Sequence, residues 1–218
     1  EESIRNKILV PGDELPPENE LTTIFGVSRT VIREALHMLS TRGLVTTKRG
    51  KKTVINEYHE VLNLSPIQFY LECNLDDKLI QHWINIRATL EPTLARTAAL
   101  NRTDEDLIKL KDIVNQLELD ENKKNGELLA NLDKNFHSSI AEATKNPIVS
   151  IIMRPIYEMM PKIKKMVIDK NPGVFKFGNE EHQKIYKCIA NKDGDGAFLS
   201  MVEHMASATK HVYETHIL

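Results

Sequence analysis

The chain has 218 residues, 28% charged and 41% hydrophobic, with a formal net charge of −2. That balance excludes a disordered chain, and no apolar run approaches the ~18 residues a membrane-crossing helix needs. Two cysteines, Cys73 and Cys188, are too few for a disulfide framework or a four-thiolate metal site. Residues 1–5 hold no apolar signal segment, so the expected compartment is the cytoplasm, with no membrane partner.

In chain order, a short helix is predicted over about 2–9, followed by the turn signal Pro11-Gly12-Asp13. Pro16-Pro17-Glu18 opens a second helix with Leu21, Ile24 and Phe25 on one face, and Gly26-Val27-Ser28 breaks it. Ser28 suits the N-cap of a third helix over about 29–41, whose Ile32, Leu36 and Leu39 form a buried stripe. Residues 44–47 and 53–55 are rich in β-branched side chains and flank the basic turn 48–52, which describes a β-wing. From about Tyr58 the β signal ends. A long amphipathic helix is predicted over 79–99, with Leu79, Trp83, Ile86, Leu90, Leu94 and Ala98 inward. Thr103 caps the next, over 104–119, and another covers 127–144. Asn146-Pro147 opens a helical stretch to about Ile168 that Pro155 and Pro161 should kink or split. Two more follow over 179–190 and 194–215, the last capped by Asp193. The expected fold is therefore mainly α. Residues 1–56 form a winged helix-turn-helix of three helices and a two-stranded wing. Residues 57–74 are a linker, and 75–218 form an all-α bundle of about six to seven helices.

Charge is spread unevenly along this plan. Within 28–52 there are seven basic residues (Arg29, Arg33, Arg42, Lys48, Arg49, Lys51 and Lys52) against one acid, Glu34. Arg29 and Arg33, four apart, share a helix face, apart from the apolar Ile32/Leu36/Leu39 stripe. A recognition helix needs that division: an apolar side to seat it, and a donor-rich side for guanine edges and phosphates. Thr30 lies on the same first turn. At the wing tip, Arg49 and Lys51 supply cations for phosphate or minor-groove contact.

The run from Pro11-Gly12-Asp13-Glu14-Leu15-Pro16-Pro17-Glu18, through Leu21 and Gly26-Val27-Ser28-Arg29-Thr30-Val31-Ile32-Arg33-Glu34-Ala35-Leu36, to Leu39 and Gly43-Leu44-Val45 resembles the winged-helix signature of GntR-type bacterial regulators. The resemblance implies that Ser28, Arg29 and Arg33 contact DNA, with Arg49 and Gly50 as the wing residue and its glycine. Asn19 departs from the pattern, because FadR-like members often carry a DNA-contacting arginine there.

Asp133 and His137 stand at i, i+4, where a carboxylate and an imidazole share a helix face and can hold one metal ion. His182 and His204 lie on the last two predicted helices beside apolar residues. From the residues alone, these are either half-buried histidines with ordinary partners or three imidazoles and a carboxylate suited to a mid-transition metal. The second part of the chain also resembles the all-helical effector domain of FadR-type regulators. The landmarks are Arg87 with Leu90-Glu91-Pro92, Asp133 with Phe136-His137, Asn146-Pro147, Glu181-His182, and Asp193, Ala197 and His204. That likeness implies a divalent transition metal, zinc or nickel, held by Asp133, His137, His182 and His204. Glu181 is a candidate to support a ligand.

Arg87 sits among Ile84, Ile86 and Leu90. Either it pairs with Glu91 at i+4, or its planar fork clamps a carboxylate ligand; the resemblance implies an organic-acid effector beside the metal. Enzyme signatures are absent: His59-Glu60 lacks the second histidine of a metalloprotease motif, and Gly194-Asp195-Gly196 lacks the third glycine of a dinucleotide fingerprint. The expected function is a homodimeric DNA-binding regulator, a repressor. Its affinity for operator DNA would be set by a small organic acid or sugar acid bound beside the metal. The alternatives are a metal-responsive regulator without organic effector and a metal-dependent hydrolase.

Overall fold

The computed structural model describes residues 1–47, 52–56, 65–119, 125–170 and 178–216. They fall into two compact units, Glu1–Pro66 and Ile67–Leu218.

The first unit contains α1 (Glu2–Arg5), α2 (Glu18–Phe25), α3 (Arg29–Thr41), β1 (Val45–Thr47) and β2 (Thr53–Ile55). Gly26 ends α2 at φ +65°, a left-handed conformation that costs glycine little. Ser28 then caps α3, its Oγ accepting from the Val31 N–H at 3.3 Å. The two strands are antiparallel with Val45 opposite Ile55, and the Thr47 and Thr53 hydroxyls meet at 2.8 Å. The small core gathers Ile4, Val45 and Ile55, with Leu9, Leu15, Leu39 and Leu44 packed against it. Of the expected α2 face only Leu21 is buried; Ile24 and Phe25 are 57% and 65% exposed. A core drawn from so few side chains closes over one residue of a two-turn helix and leaves its neighbours outside.

The second unit is all helical among its described residues: α4 (Ser65–Cys73, beginning just before the boundary), α5 (Asp77–Asn101), α6 (Asp104–Glu118), α7 (Gly126–Ala143), α8 (Pro147–Glu158), α9 (Met160–Lys170), α10 (Gly178–Ala190) and α11 (Gly194–His216). Helix α4 falls within 57–74, so that stretch is not all linker; Leu71 and Leu75 pack against the bundle core. Side chains fix the starts of the others. Asp76 accepts from the Leu79 N–H at 2.7 Å, Thr103 and Asp106 form a capping box, and Asn125 and Asn146 cap α7 and α8. The stretch with two prolines splits at Met159, between α8 and α9. Pro161 occupies the second position of α9, where a missing N–H removes no helical bond.

Helix α5 packs against α11, α7 and α10 around a core that includes Ile80, Ile84, Leu110, Phe136, Ile140, Ile185, Ile189 and Met201. Its most buried face differs from the expected stripe. Ile80, Trp83, Ile84, Arg87, Glu91, Ala95 and Ala98 point in, Leu79, Leu90 and Leu94 are half-buried, and Ile86 is 41% exposed. The face turns because Arg87 and Glu91 neutralise each other and enter the core as a pair. No helix among the described residues is long and apolar enough to cross a membrane.

Candidate functional site

In the first unit, Arg29, Thr30 and Arg33 are exposed on α3, while Ile32 of the same helix is buried. Both arginine Nε atoms donate to the same oxygen, Glu18 Oε2, each at 2.9 Å. Ser28 is exposed, its Oγ engaged as the cap of α3. The wing candidates Arg49, Gly50 and Lys51 lie outside the described residues. Lys52, beside them, pairs with Glu14.

The second unit brings Asp133 and His137 of α7, His182 of α10 and His204 of α11 to one buried point. Each offers a ligand atom, and these atoms all lie within 4.8 Å of one another. His182 Nε2 is 3.0 Å from Asp133 Oδ1, His204 Nε2 is 3.3 Å from His137 Nε2, and His137 Nε2 is 3.8 Å from Asp133 Oδ1. Donors bound at ~2.1 Å to one ion stand about 3.0–3.4 Å apart at neighbouring positions, and two of these separations match. The Phe136 ring meets His182 edge-on at 4.6 Å and closes one side.

The far sides of the rings explain why nitrogen meets nitrogen. His204 Nδ1 lies 2.9 Å from Glu181 Oε2, and Glu181 also accepts from the Ser207 hydroxyl. His137 Nδ1 lies 2.6 Å from Glu91 Oε2, off the ideal hydrogen-bond axis. A carboxylate beside each Nδ1 favours the ring proton there, the tautomer that turns both Nε2 lone pairs toward each other. In that tautomer, two lone pairs 3.3 Å apart suit a shared cation. Asp133 Oδ1 and His182 Nε2 are likewise buried without a hydrogen-bond partner of proper geometry, although only 3.0 Å apart. Orphaned buried polar atoms are costly, and their meeting at one point fits a shared ion.

Electrostatics keep these donors ready. Burial pushes His182 down to about 3, against the opposing pull of Asp133, and burial also lowers His137. The imidazoles of both are therefore neutral near pH 7, as metal ligation requires. For Asp133, burial acts to raise the carboxyl, but Lys164, His182 and His137 together hold it well below the usual range. Lys164 Nζ reaches Asp133 Oδ2 at 2.7 Å from α9, leaving Oδ1 toward the histidines. Burial likewise opposes ionisation of Glu91, yet Arg87 and His137 hold it at about 2.

Arg87 adopts the paired arrangement. Its Nε donates to Glu91 Oε1 at 2.6 Å and its Nη2 reaches Oε2 at 3.4 Å, with the guanidinium 4.7 Å from the Trp83 ring centre. Arg87, Glu91 and His137 thus form a continuous chain to the cluster. Sequence reasoning named Glu91 only as a partner for Arg87 and missed its contact with His137. It missed Lys164 as well, whose neighbours Lys162 and Lys165 make it look like part of a solvated run. The i, i+4 spacing of Arg87 and Glu91 was the signal available for the first; nothing local marked the second.

Residues 83–207 match the FCD domain, and residues 1–55 match the gntR family of bacterial regulatory proteins. The HTH-type transcriptional regulator LutR of Bacillus subtilis is 31% identical over 94% of this chain and 93% of its own length. The galactonate operon transcriptional repressor of Escherichia coli is 27% identical over 94% of this chain and 90% of its own. Among solved structures, Streptococcus agalactiae GntR superposes with a TM-score of 0.75 at 26% identity, covering 96% of this chain and 95% of that one. These relatives are regulators rather than enzymes, which removes the hydrolase alternative. The chain belongs to the gntR family of bacterial regulatory proteins and is a transcriptional regulator whose DNA-binding unit precedes an FCD effector domain.

Proposed function

We propose that the helical unit binds a divalent transition metal, zinc or nickel, through Asp133, His137, His182 and His204, together with a small organic acid. Their occupancy would set the affinity of the first unit for operator DNA. The observation that carries this reading is the pair of His137 and His204 Nε2 atoms facing each other at 3.3 Å, each ring backed by a carboxylate. Three neutral imidazoles and one carboxylate leave a divalent ion with residual positive charge, which attracts an anion. When bound, the ion supplies that charge and a coordination position for a carboxylate.

The chain's own residues do the rest. Glu91 and Glu181 fix the ring tautomers, Lys164 holds the second oxygen of Asp133, and Arg87 offers a guanidinium one carboxylate away from His137. The name of the E. coli relative ties that protein to a galactonate operon and to repression. It supports a sugar acid as the effector class and repression as the sign. Ser28, Arg29, Thr30 and Arg33, with Arg49, Gly50 and Lys51 of the wing, are the proposed DNA contacts. A homodimer on paired half-sites matches the two-fold logic of such operators.

The test is a thermal-shift screen of sugar acids, hydroxy acids and dicarboxylates on metal-loaded protein, followed by gel shifts with the operator. An acid that raises the melting temperature, weakens operator binding, and loses both effects with chelator or in Arg87→Lys is the expected result. A second reading has its own support. Arg87 is already engaged by Glu91, which favours a metal-responsive regulator without organic effector. Operator binding that changes with chelator while no acid shifts the melt would establish that reading instead.

A further inference from the structure

Glu18 is the first residue of α2, 11 positions before Arg29 and 15 before Arg33. Its Oε2 accepts from both Nε atoms, so a single oxygen ties two guanidinium groups together. All three side chains stay accessible, the arginines 59% and 60% exposed and Glu18 32%. The hydrogen bonds from Arg29 and then Arg33 hold the carboxyl below its ordinary range, so it is charged at neutral pH. Its place in the first turn of α2 also suits a carboxylate.

An arginine can fork onto a guanine with Nε and one Nη, or with its two Nη atoms. With both Nε atoms taken, only the terminal pairs remain to read bases. Like charges four apart on a helix repel, and each arginine has many rotamers to lose on binding. A shared acceptor offsets the repulsion and sets both forks before DNA arrives, the general route by which preorganisation strengthens binding. The same carboxylate also opposes the sequence-independent attraction of phosphates.

From this geometry we propose that Glu18 is a specificity-determining residue of DNA recognition, a positioning group that aims Arg29 and Arg33 at bases and weakens indiscriminate phosphate binding. It rests on the reading of Arg29 and Arg33 as the DNA-facing pair.

The experiment uses the full chain, a duplex selected by it from a random-sequence pool, and a shuffled duplex of the same composition, titrated across salt. Glu18→Ala binds the shuffled duplex more tightly and with steeper salt dependence, and the selected duplex more weakly. The ratio of the two affinities falls about tenfold. Glu18→Gln, which keeps an acceptor oxygen without the charge, gains affinity for the shuffled duplex and retains more of that ratio. Repeating the selection with Glu18→Ala yields relaxed base preference, a readout that an altered helix stability would not produce in a variant with unchanged circular dichroism. Affinities for both duplexes that rise together, with an unchanged ratio, would overturn the proposal, as would a selective gain for the selected duplex. Arg29→Ala and Arg33→Ala run alongside. If they bind like wild type, the DNA-facing assignment itself falls; if they lose binding while Glu18→Ala keeps its ratio, only the role of Glu18 falls.

Discussion

In the DNA-binding unit the charges proposed to meet DNA stand in water, where Arg29 and Arg33 share Glu18 at the surface. In the FCD unit the corresponding groups, Arg87, Glu91 and Asp133, are buried with three histidines. The difference follows from the tasks. Charges that meet a polyanion must be accessible, and solvent screens their mutual energies, so each can change with little effect on folding. Donors that hold an ion away from water must be buried, and each then depends on its neighbours to remain tolerable in the core. One chain thus keeps a replaceable candidate recognition face and a tightly interlocked candidate metal site.

The largest effect that sharpens this contrast is on stability. Glu91→Ala leaves Arg87 as an unpaired buried cation and should cost about 3–5 kcal/mol in urea denaturation. Surface variants such as Arg33→Ala should leave the urea midpoint unchanged. Metal comes next: an ion at about a thousand times its Kd should stabilise the chain by about 4 kcal/mol, read as a rise in Tm that chelator reverses. Arg29→Ala and Arg33→Ala should each weaken operator binding roughly tenfold to a hundredfold in gel shifts. An equal effect of either on the melting temperature would break the contrast.

Acid is a finer probe. Burial pushes His182 in the folded chain down to about 3, whereas an unfolded histidine titrates near ~6.5. Between those values the unfolded chain binds more protons. The stability of metal-free protein should therefore be level above pH 6.5 and fall as pH drops toward 3, in urea titrations across pH. The smallest expected effect belongs to the scaffold: Asp76→Ala, which removes the cap of α5, should cost about 1 kcal/mol.

Much of the architecture was legible where the cause was local. Ser28, Thr103 and Asn146 marked helix starts by their capping chemistry, and the split between α8 and α9 falls beside Pro161, while Pro155 stays inside α8 without breaking it. The candidate DNA face followed from the four-residue spacing of Arg29 and Arg33. What depended on tertiary convergence was harder to see. The inward face of α5 was drawn through Leu79 and Ile86 because a hydrophobic stripe excludes charges, yet Arg87 and Glu91 enter the core as a neutralised pair. The meeting of His137 and His204, 67 residues apart, came from family resemblance rather than from periodicity. Lys164 and the Glu91–His137 contact were missed because each joins elements far apart in the chain, and Glu18 because its partners lie across the turn on the next helix.

We propose that Asp133, His137, His182 and His204 hold one ion. Elemental analysis of the full chain, after incubation with zinc or nickel and gel filtration, tests it directly. About one equivalent of metal per wild-type chain, lost in a folded His182→Ala variant, is the predicted result. Wild type and variant that both emerge with negligible metal would contradict it and leave the facing nitrogens a purely structural arrangement.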